Sequence, residues 1–314
     1  MGDGTEQSPY IREDVLRMIE ENDGTAKGLD LLGKWFEVGI NLRGLHLNNI
    51  ILKHANLPRA NLQNVSLSGA DLQQSDLSEA NLQEADLMNA NLQEAGLIKA
   101  NLGKASLFNT NFKKATLLFV NLQQANLIGA KLQGVVLAGE EISSETEIAN
   151  VDWGNYVLGN ERSNLILLAQ AVYRRLKQWY TNVGMYDVAG KFFYREMEAK
   201  RKAQRWKKEP SSKLWSSVMR LLFGYGERPA RVIGWAASVI VFLALIYFFI
   251  GSAWEWSAFW NSLYFSAVSF TALGYGSWVE TTNGWIRGLG AFESFLGVFM
   301  MALFLVTFTR KMTR

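Results

Sequence analysis

The strongest constraint in this chain of 314 residues is a repeat with a period of five. From Leu42 to Leu137, every fifth residue is leucine, with Phe112 as the one exception. The residue two places earlier is most often alanine, and the residue between them is most often Asn or Asp, as in Ala80-Asn81-Leu82. A period of five fits neither an α-helix nor an alternating β-strand. It suits a four-sided coil, one pentapeptide per side, in which the leucine and the small residue both point inward.

The pattern A-(N/D)-L-x-x resembles the pentapeptide-repeat family and extends over about a third of the chain. The resemblance implies a right-handed quadrilateral parallel β-helix, or solenoid, over residues 40–139, with turns stacked about 4.8 Å apart as β-strands are. The open ends of such a rod expose unpaired strand edges. We therefore expect residues 1–39 to form the entry to the solenoid, with a capping helix over residues 10–22.

The surface of the expected solenoid is nearly neutral, with eight basic and six acidic residues over positions 40–139. Some pentapeptide-repeat proteins imitate DNA with an acidic surface and bind topoisomerases, a function that this charge balance disfavours. Two roles remain open. The favoured one is a spacer or oligomerisation scaffold, and the other is a binding site for a cytoplasmic protein or ligand on one face.

Composition argues against an enzyme. The chain has no cysteine, and both histidines lie within the repeats, so disulfides, thiol catalysis and a metal centre are not expected. No Ser-His-Asp constellation or phosphate-binding loop is visible in the sequence, and we expect neither catalysis nor a cofactor. The polar N-terminal segment has no signal peptide, which predicts that the repeats lie in the cytoplasm.

A basic helical connector is predicted over residues 140–228. Residues 164–182 and 185–208 have helical apolar spacing and are separated by Gly184, which indicates a helical hairpin, and a juxtamembrane helix is expected to follow. Residues 161–228 contain fifteen Lys or Arg and six Asp or Glu. Because a membrane span follows, we expect this surface to contact the anionic inner leaflet, where each basic residue contributes about 1 kcal/mol. A solvated helix face is the main alternative, and nucleic-acid binding is the least favoured one.

Residues 229–314 contain two apolar runs long enough to cross a bilayer, about residues 232–250 and 289–308. Basic residues precede the first run and follow the second, whereas the segment between them carries only Glu255, Glu280 and Arg287. By the positive-inside rule, both termini are cytoplasmic. The sequence therefore predicts a plasma-membrane (inner-membrane) protein with two spans.

The segment between the spans predicts a re-entrant pore loop. A short apolar helix over about residues 259–270 is followed by a glycine-bearing strip, Thr271-Ala272-Leu273-Gly274-Tyr275-Gly276. This arrangement resembles the two-transmembrane potassium-channel family, whose T-V-G-Y-G filter replaces the hydration shell of the ion with backbone carbonyls. The resemblance implies a homotetramer with an α-helical pore domain that conducts K⁺ through the carbonyls of residues 272–275. An ordinary interfacial loop is the alternative.

The strip departs from the family pattern at three positions. Ala272 stands where a threonine hydroxyl usually lines the innermost ion site, Leu273 replaces valine, and Ser277 replaces aspartate. The missing hydroxyl ligands predict weaker discrimination of K⁺ from Na⁺. Two functions stay open: a gated cation channel, and a membrane-anchored scaffold whose pore-like domain does not conduct.

Five residues of the second span are candidates for gating or pore lining: Glu293, Gly297, Met301, Phe304 and Phe308. An ionisable group within a span is a functional candidate because leaving it in lipid is costly. We expect Glu293 either to support the filter in place of the acid missing at position 277 or to reach water at the outer interface. Gly297 is either the hinge of the inner helix or a close-packing residue. The other three lie on roughly one helix face, which is expected to line the pore.

Overall fold

The computed structural model describes residues 2–139, 145–162, 165–204, 210–250, 256–272 and 284–312. The chain forms two compact units, residues 1–203 and 204–314. The first unit contains α1 (Arg12–Glu21), β1 (Thr116–Leu118), β2 (Val136–Ala138), α2 (Gly159–Arg162), α3 (Ile166–Asn182) and α4 (Tyr186–Ala203). The second unit contains α5 (Pro210–Phe223), a 3-10 turn (Gly224–Gly226), α6 (Pro229–Ile250), α7 (Trp256–Thr271) and α8 (Gly284–Met312).

The repeat region returns over itself every twenty residues. Parallel bridges join residues that are twenty positions apart, as between Asn41 and Asn61 and between Asn61 and Asn81, and β1 pairs with β2 in the same register. Each turn therefore consists of four pentapeptides. Every leucine of the repeat and Phe112 are buried, which confirms the inward positions predicted from the sequence.

The stacked pairing extends beyond residues 40–139 at both ends. Asp30 pairs with Ile51, and Lys131 pairs with Asp152, in each case an offset one residue longer than the repeat. With this one-residue offset, the inward-facing side chains of these turns still stack on those of the regular repeats. Residues before and after the regular repeats are therefore also buried, namely Leu31, Phe36, Ile148, Trp153 and Leu158. The sequence prediction missed these turns because a single inserted residue interrupts the period of five.

Helix α1 covers the N-terminal end of the repeats, as predicted for residues 10–22. Its apolar face buries Val15 in the same hydrophobic core as the first turn of the repeat region. The buried Asp14 carboxylate accepts the backbone N–H groups of Gly2 (3.0 Å) and Ile11 (3.2 Å). An acid in the first turn is favourable because it faces the positive end of the helix dipole.

The hairpin of α3 and α4 closes the C-terminal end of the repeats. Trp153, in the last turn, donates from its indole Nε1 to the Tyr180 hydroxyl at 2.7 Å, and the fully buried Phe192 of α4 stacks on Tyr180 with a centroid distance of 5.5 Å. The hairpin is therefore part of the repeat unit. The single connector predicted over residues 140–228 is corrected accordingly: its hairpin caps the rod, whereas α5 belongs to the second unit.

Among the described residues, the second unit contains two helices that are long and apolar enough to cross a membrane. The spans are Pro229–Ile250, with a mean hydropathy of 2.5, and Trp285–Thr309, with a mean hydropathy of 2.1. Helix α6 begins three residues before the apolar run predicted from the sequence, and α8 extends beyond its predicted run at both ends.

Candidate functional site

Helix α7 lies between α6 and α8 and is held by hydroxyl groups on both sides. The Ser266 hydroxyl is 2.9 Å from the carbonyl oxygen of Ile240 in α6. On the other side, the Ser294 hydroxyl of α8 donates to the carbonyl oxygen of Ser269 at 2.8 Å. In an apolar environment such hydrogen bonds fix one helix against another, because the polar groups have no water to bind instead.

The end of α7 contacts α8 at Gly297. A Cβ atom at position 297 would lie 1.8 Å from the carbonyl oxygen of Phe270, so no residue larger than glycine fits without movement of the backbone. The α-helix continues through this position from Gly284 to Met312. Of the two roles expected for Gly297, the structure therefore favours close packing over a hinge.

These contacts place the C-terminal half of α7 beside the middle of both spans, with Ser266 at Ile240 of α6 and Phe270 at Gly297 of α8. Ile240 lies near the middle of α6, and Gly297 lies near the middle of α8. Tyr247, near the end of α6, contacts Glu293 in the first half of α8, so the end of α6 and the beginning of α8 lie on the same side. Helix α7 begins shortly after α6 ends and stops beside the middle of α8, at Gly297.

Glu293 connects all three helices. Its side chain is fully buried, the Tyr247 hydroxyl of α6 donates to Oε2 at 2.8 Å, and the Ser266 hydroxyl of α7 contacts Oε1. Of the two roles expected for Glu293, the structure therefore disfavours contact with water, because neighbouring helices cover the side chain. The carboxyl group instead supports α7, the helix that leads into the glycine-bearing strip.

Helix α7 ends where the predicted filter begins. Thr271 is its last residue, one position later than predicted, and the Thr271 hydroxyl lies 2.8 Å from the carbonyl oxygen of Ala267 one turn earlier. Ala272 follows in the left-handed conformation, with φ of 52°. Both residues are exposed on the single chain. The other predicted filter residues and Ser277 lie outside the described residues: Leu273, Gly274, Tyr275 and Gly276.

The three residues predicted to line the pore are not equivalent. Met301 and Phe308 are 49% and 43% exposed. Phe304 stacks on Phe308 at a centroid distance of 5.6 Å but also packs against the core that contains Phe223. Residues that line a pore shared by several chains must be exposed on the single chain. Met301 and Phe308 meet this requirement better than Phe304 does.

The basic side chains of α4 form ion pairs within their own unit. Lys202 is 2.6 Å from Glu161, and Arg201 is 3.1 Å from Glu198. These pairs satisfy part of the charge that the sequence assigned to the membrane surface. The basic residues at positions 205, 207 and 208 lie outside the described part of the chain.

Sequence reasoning did not single out Tyr247 or the serines of α7. The available signal was the spacing of Ser262, Ser266 and Ser269, which places hydroxyls on neighbouring positions of one helix face. Their partners, a tyrosine in α6 and an acid in α8, are also unusual residues in two largely apolar spans.

Comparison with known proteins agrees with both halves of this architecture. An ion channel family model matches residues 235–314, and the pentapeptide-repeat model matches eight copies within residues 38–74, 70–107 and 105–139. A pentapeptide repeat protein from the Arabidopsis thaliana thylakoid lumen is 37% identical over 36% of this chain and 70% of its own, with a TM-score of 0.28. This chain belongs to the pentapeptide-repeat family. Its C-terminal region is a two-transmembrane ion channel domain.

Other pentapeptide-repeat proteins also match this chain. Rfr23 from the cyanobacterium Cyanothece 51142 is 29% identical, covering 45% of this chain and 99% of its own, with a TM-score of 0.31. HetL from Nostoc sp. strain PCC 7120, described as involved in the regulation of heterocyst differentiation, is 19% identical over 46% of this chain and 93% of its own, with a TM-score of 0.25. No curated protein matches the chain significantly. This pentapeptide-repeat protein is thus a membrane protein with two spans and an ion channel domain.

Proposed function

We propose that this pentapeptide-repeat protein is a tetrameric cation channel of the plasma (inner) membrane. It conducts K⁺, and Na⁺ to a lesser degree, through the strip Thr271–Gly276, with both termini in the cytoplasm. The repeat region forms a right-handed quadrilateral solenoid that serves assembly, regulation or partner binding. The observation that carries the proposal is the depth at which α7 ends between the two spans.

This depth supports a re-entrant loop. Phe270 meets α8 at Gly297, thirteen residues after α8 begins at Gly284, a distance of about 20 Å along a helix with a rise of 1.5 Å per residue. Residues 273–283 connect these two levels, and an extended chain of that length reaches about 36 Å at roughly 3.3 Å per residue. The strip can therefore run back from mid-depth to the side on which α7 began.

Electrostatics at the end of α7 favour cations. The last carbonyl groups of a helix have no partner within the helix and carry a partial negative charge. Here that end points to the middle of the membrane, where a dehydrated cation has the greatest need for stabilisation. Four such ends around one axis, together with the carbonyl groups of four strips, would replace the hydration shell.

Four copies are needed because one strip supplies only a quarter of the ligands of an ion. Thr271 and Ala272 are exposed on the single chain, as expected for residues that face a shared axis. Ala272 contributes no hydroxyl ligand to the innermost site, so we expect K⁺ to be favoured over Na⁺ less strongly than in a channel with threonine there.

The inner leaflet is the proposed partner of helix α5. This helix is fixed to the beginning of α6, because Trp235 donates from its indole Nε1 to the carbonyl oxygen of Leu221 at 3.1 Å. It exposes 58% of Leu214 and 59% of Trp215, and Lys213 lies beside them. An exposed apolar face with neighbouring basic residues is typical of a helix that lies in the interface of an anionic membrane.

The test is ion flux from the purified protein in liposomes, combined with light scattering in the same detergent. The proposal predicts four chains per particle and K⁺ flux above that of protein-free liposomes, with greater flux when the liposomes contain anionic lipid. A dimer or trimer would contradict the channel mechanism. A tetramer without flux would favour the alternative, a membrane-anchored scaffold with a non-conducting pore-like domain.

A further inference from the structure

The outer surface of the repeat region has four columns of β-turn residues. Each twenty-residue turn contains four β-turns, and each of these stacks on the one twenty residues later. Three of the four columns carry ion pairs between adjacent turns: Glu79 with Lys99, Glu84 with Lys104, and Glu94 with Lys114. These columns are solvated and charged.

The fourth column has no charged residue, and three of its levels present a large apolar side chain. It begins with the polar pairs Asn48-Asn49 and Ser68-Gly69 and continues with Met88-Asn89, Phe108-Asn109 and Ile128-Gly129, and we refer to these last three levels as the apolar column. The equivalent position in the two neighbouring columns holds glutamine, lysine or glycine, as at Lys113 and Gln123. The three large side chains of the apolar column are half-buried. The acid nearest in sequence, Asp86, is engaged by the backbone N–H of Met88 at 3.0 Å.

A second apolar group, opposite the apolar column, is less suited to association. It contains Ile98 and Phe119, which are 38% and 60% exposed. Lys99 and Glu79 lie in the same column and form an ion pair there. Charged residues are depleted at the centre of protein interfaces, whereas methionine and aromatic residues are enriched. The composition of the apolar column fits that pattern better.

We infer that the apolar column is a contact surface between two copies of this chain within one channel. The inference rests on the proposed oligomer. Three side chains on adjacent turns extend over about 10 Å, which is far less area than the roughly 800 Å² per partner of a stable interface between free proteins. Copies joined through a shared membrane domain meet at an effective concentration in the millimolar range. A small apolar surface is therefore sufficient for a second copy but too weak to hold a separate protein.

The test is photo-crosslinking of the full-length purified protein with p-benzoylphenylalanine in place of Phe108, a change that keeps an aromatic side chain. Irradiation should yield a two-chain product on a denaturing gel. The controls carry the same residue in place of Lys113 or Gln123, at the equivalent pentapeptide position in neighbouring columns, and should yield at least tenfold less. A second site, Ile128, should behave as Phe108 does and guards against a local folding defect at one position.

Light scattering before irradiation separates this inference from the proposed function. A tetramer that crosslinks at Phe108 and Ile128 but not at the control positions supports the contact. A tetramer with no two-chain product, with equal product at all positions, or with adducts to another protein overturns the contact and leaves the channel proposal standing. A single chain per particle overturns both.

Discussion

Replacement of Gly297 by alanine distinguishes close packing from a hinge. The added methyl group would lie 1.8 Å from the carbonyl oxygen of Phe270 and 2.7 Å from its carbonyl carbon. A carbon and a carbonyl oxygen in contact are normally separated by about 3.3 Å or more. The obstructing atoms are backbone, so no side-chain rotation relieves the clash, and α7 and α8 must separate by roughly 1.5 Å to restore that contact distance.

The expected cost follows from this displacement. Overpacking by a methyl group typically destabilises a protein by about 1–3 kcal/mol. The same displacement would stretch the hydrogen bonds that Ser269 and Ser266 make across the helix contacts, each worth about 1 kcal/mol. Alanine restores about 1 kcal/mol through its higher helix propensity. The net loss in the free energy of unfolding should be about 2–4 kcal/mol.

The matched control is Gly288→Ala in the same helix, where an added Cβ atom meets nothing within 4 Å. That variant should be as stable as the wild type or more stable by up to about 1 kcal/mol. Denaturant midpoints of the purified protein in detergent measure the difference. If Gly297→Ala proves as stable as Gly288→Ala but alters channel opening, the packing argument is refuted and the hinge is restored.

Three further predictions test the remaining parts of the structure. Leu82→Asp buries an unpaired charge and should cost several kcal/mol, whereas Gln83→Asp on the outside should cost about 0.5 kcal/mol or less; equal melting temperatures by circular dichroism would contradict the inward assignment. The buried Asn160 amide pairs with the backbone N–H and C=O of Leu137 at 3.0 and 2.8 Å. Asn160→Ala should therefore lower the stability of the repeat unit by about 2 kcal/mol or more. A wild-type denaturant midpoint would show that this pairing is dispensable. Glu293→Ala removes the acceptor shared by Tyr247 and Ser266 and should destabilise the assembled protein by about 1–3 kcal/mol; a wild-type midpoint in detergent would argue against its role in holding α7.

The repeat region could be predicted from the sequence because its signal is local. Each pentapeptide buries its leucine and its small residue in the same way, so the period alone identifies the inward positions. The turns at the two ends of the repeat region were missed, because one extra residue shifts residues such as Trp153 out of the period. The role of the helical hairpin was also missed, since it depends on a contact between Trp153 and Tyr180 that no local pattern contains.

The channel domain shows a different limit. Glu293 and Gly297 could be selected from the sequence because an acid and a glycine in a span are unusual. Their roles could not be chosen, since each depends on atoms that are distant in the chain. The Tyr247 hydroxyl and the Phe270 carbonyl oxygen decide between the alternatives, and both belong to other helices.

The most direct test of the proposed channel is the reversal potential of currents through the purified protein in planar bilayers under a KCl gradient. We expect a reversal potential with the same sign as the K⁺ equilibrium potential. In mixed solutions, the permeability to K⁺ should exceed the permeability to Na⁺ by a small but measurable ratio. Ala272→Ser should raise this ratio, because it adds a hydroxyl ligand without a β-branch. Gly274→Ala should abolish the current while four chains remain per particle, because the filter backbone needs conformations that glycine adopts readily. Unchanged current through the Gly274 variant, or a reversal potential that indicates anions, would contradict the central claim.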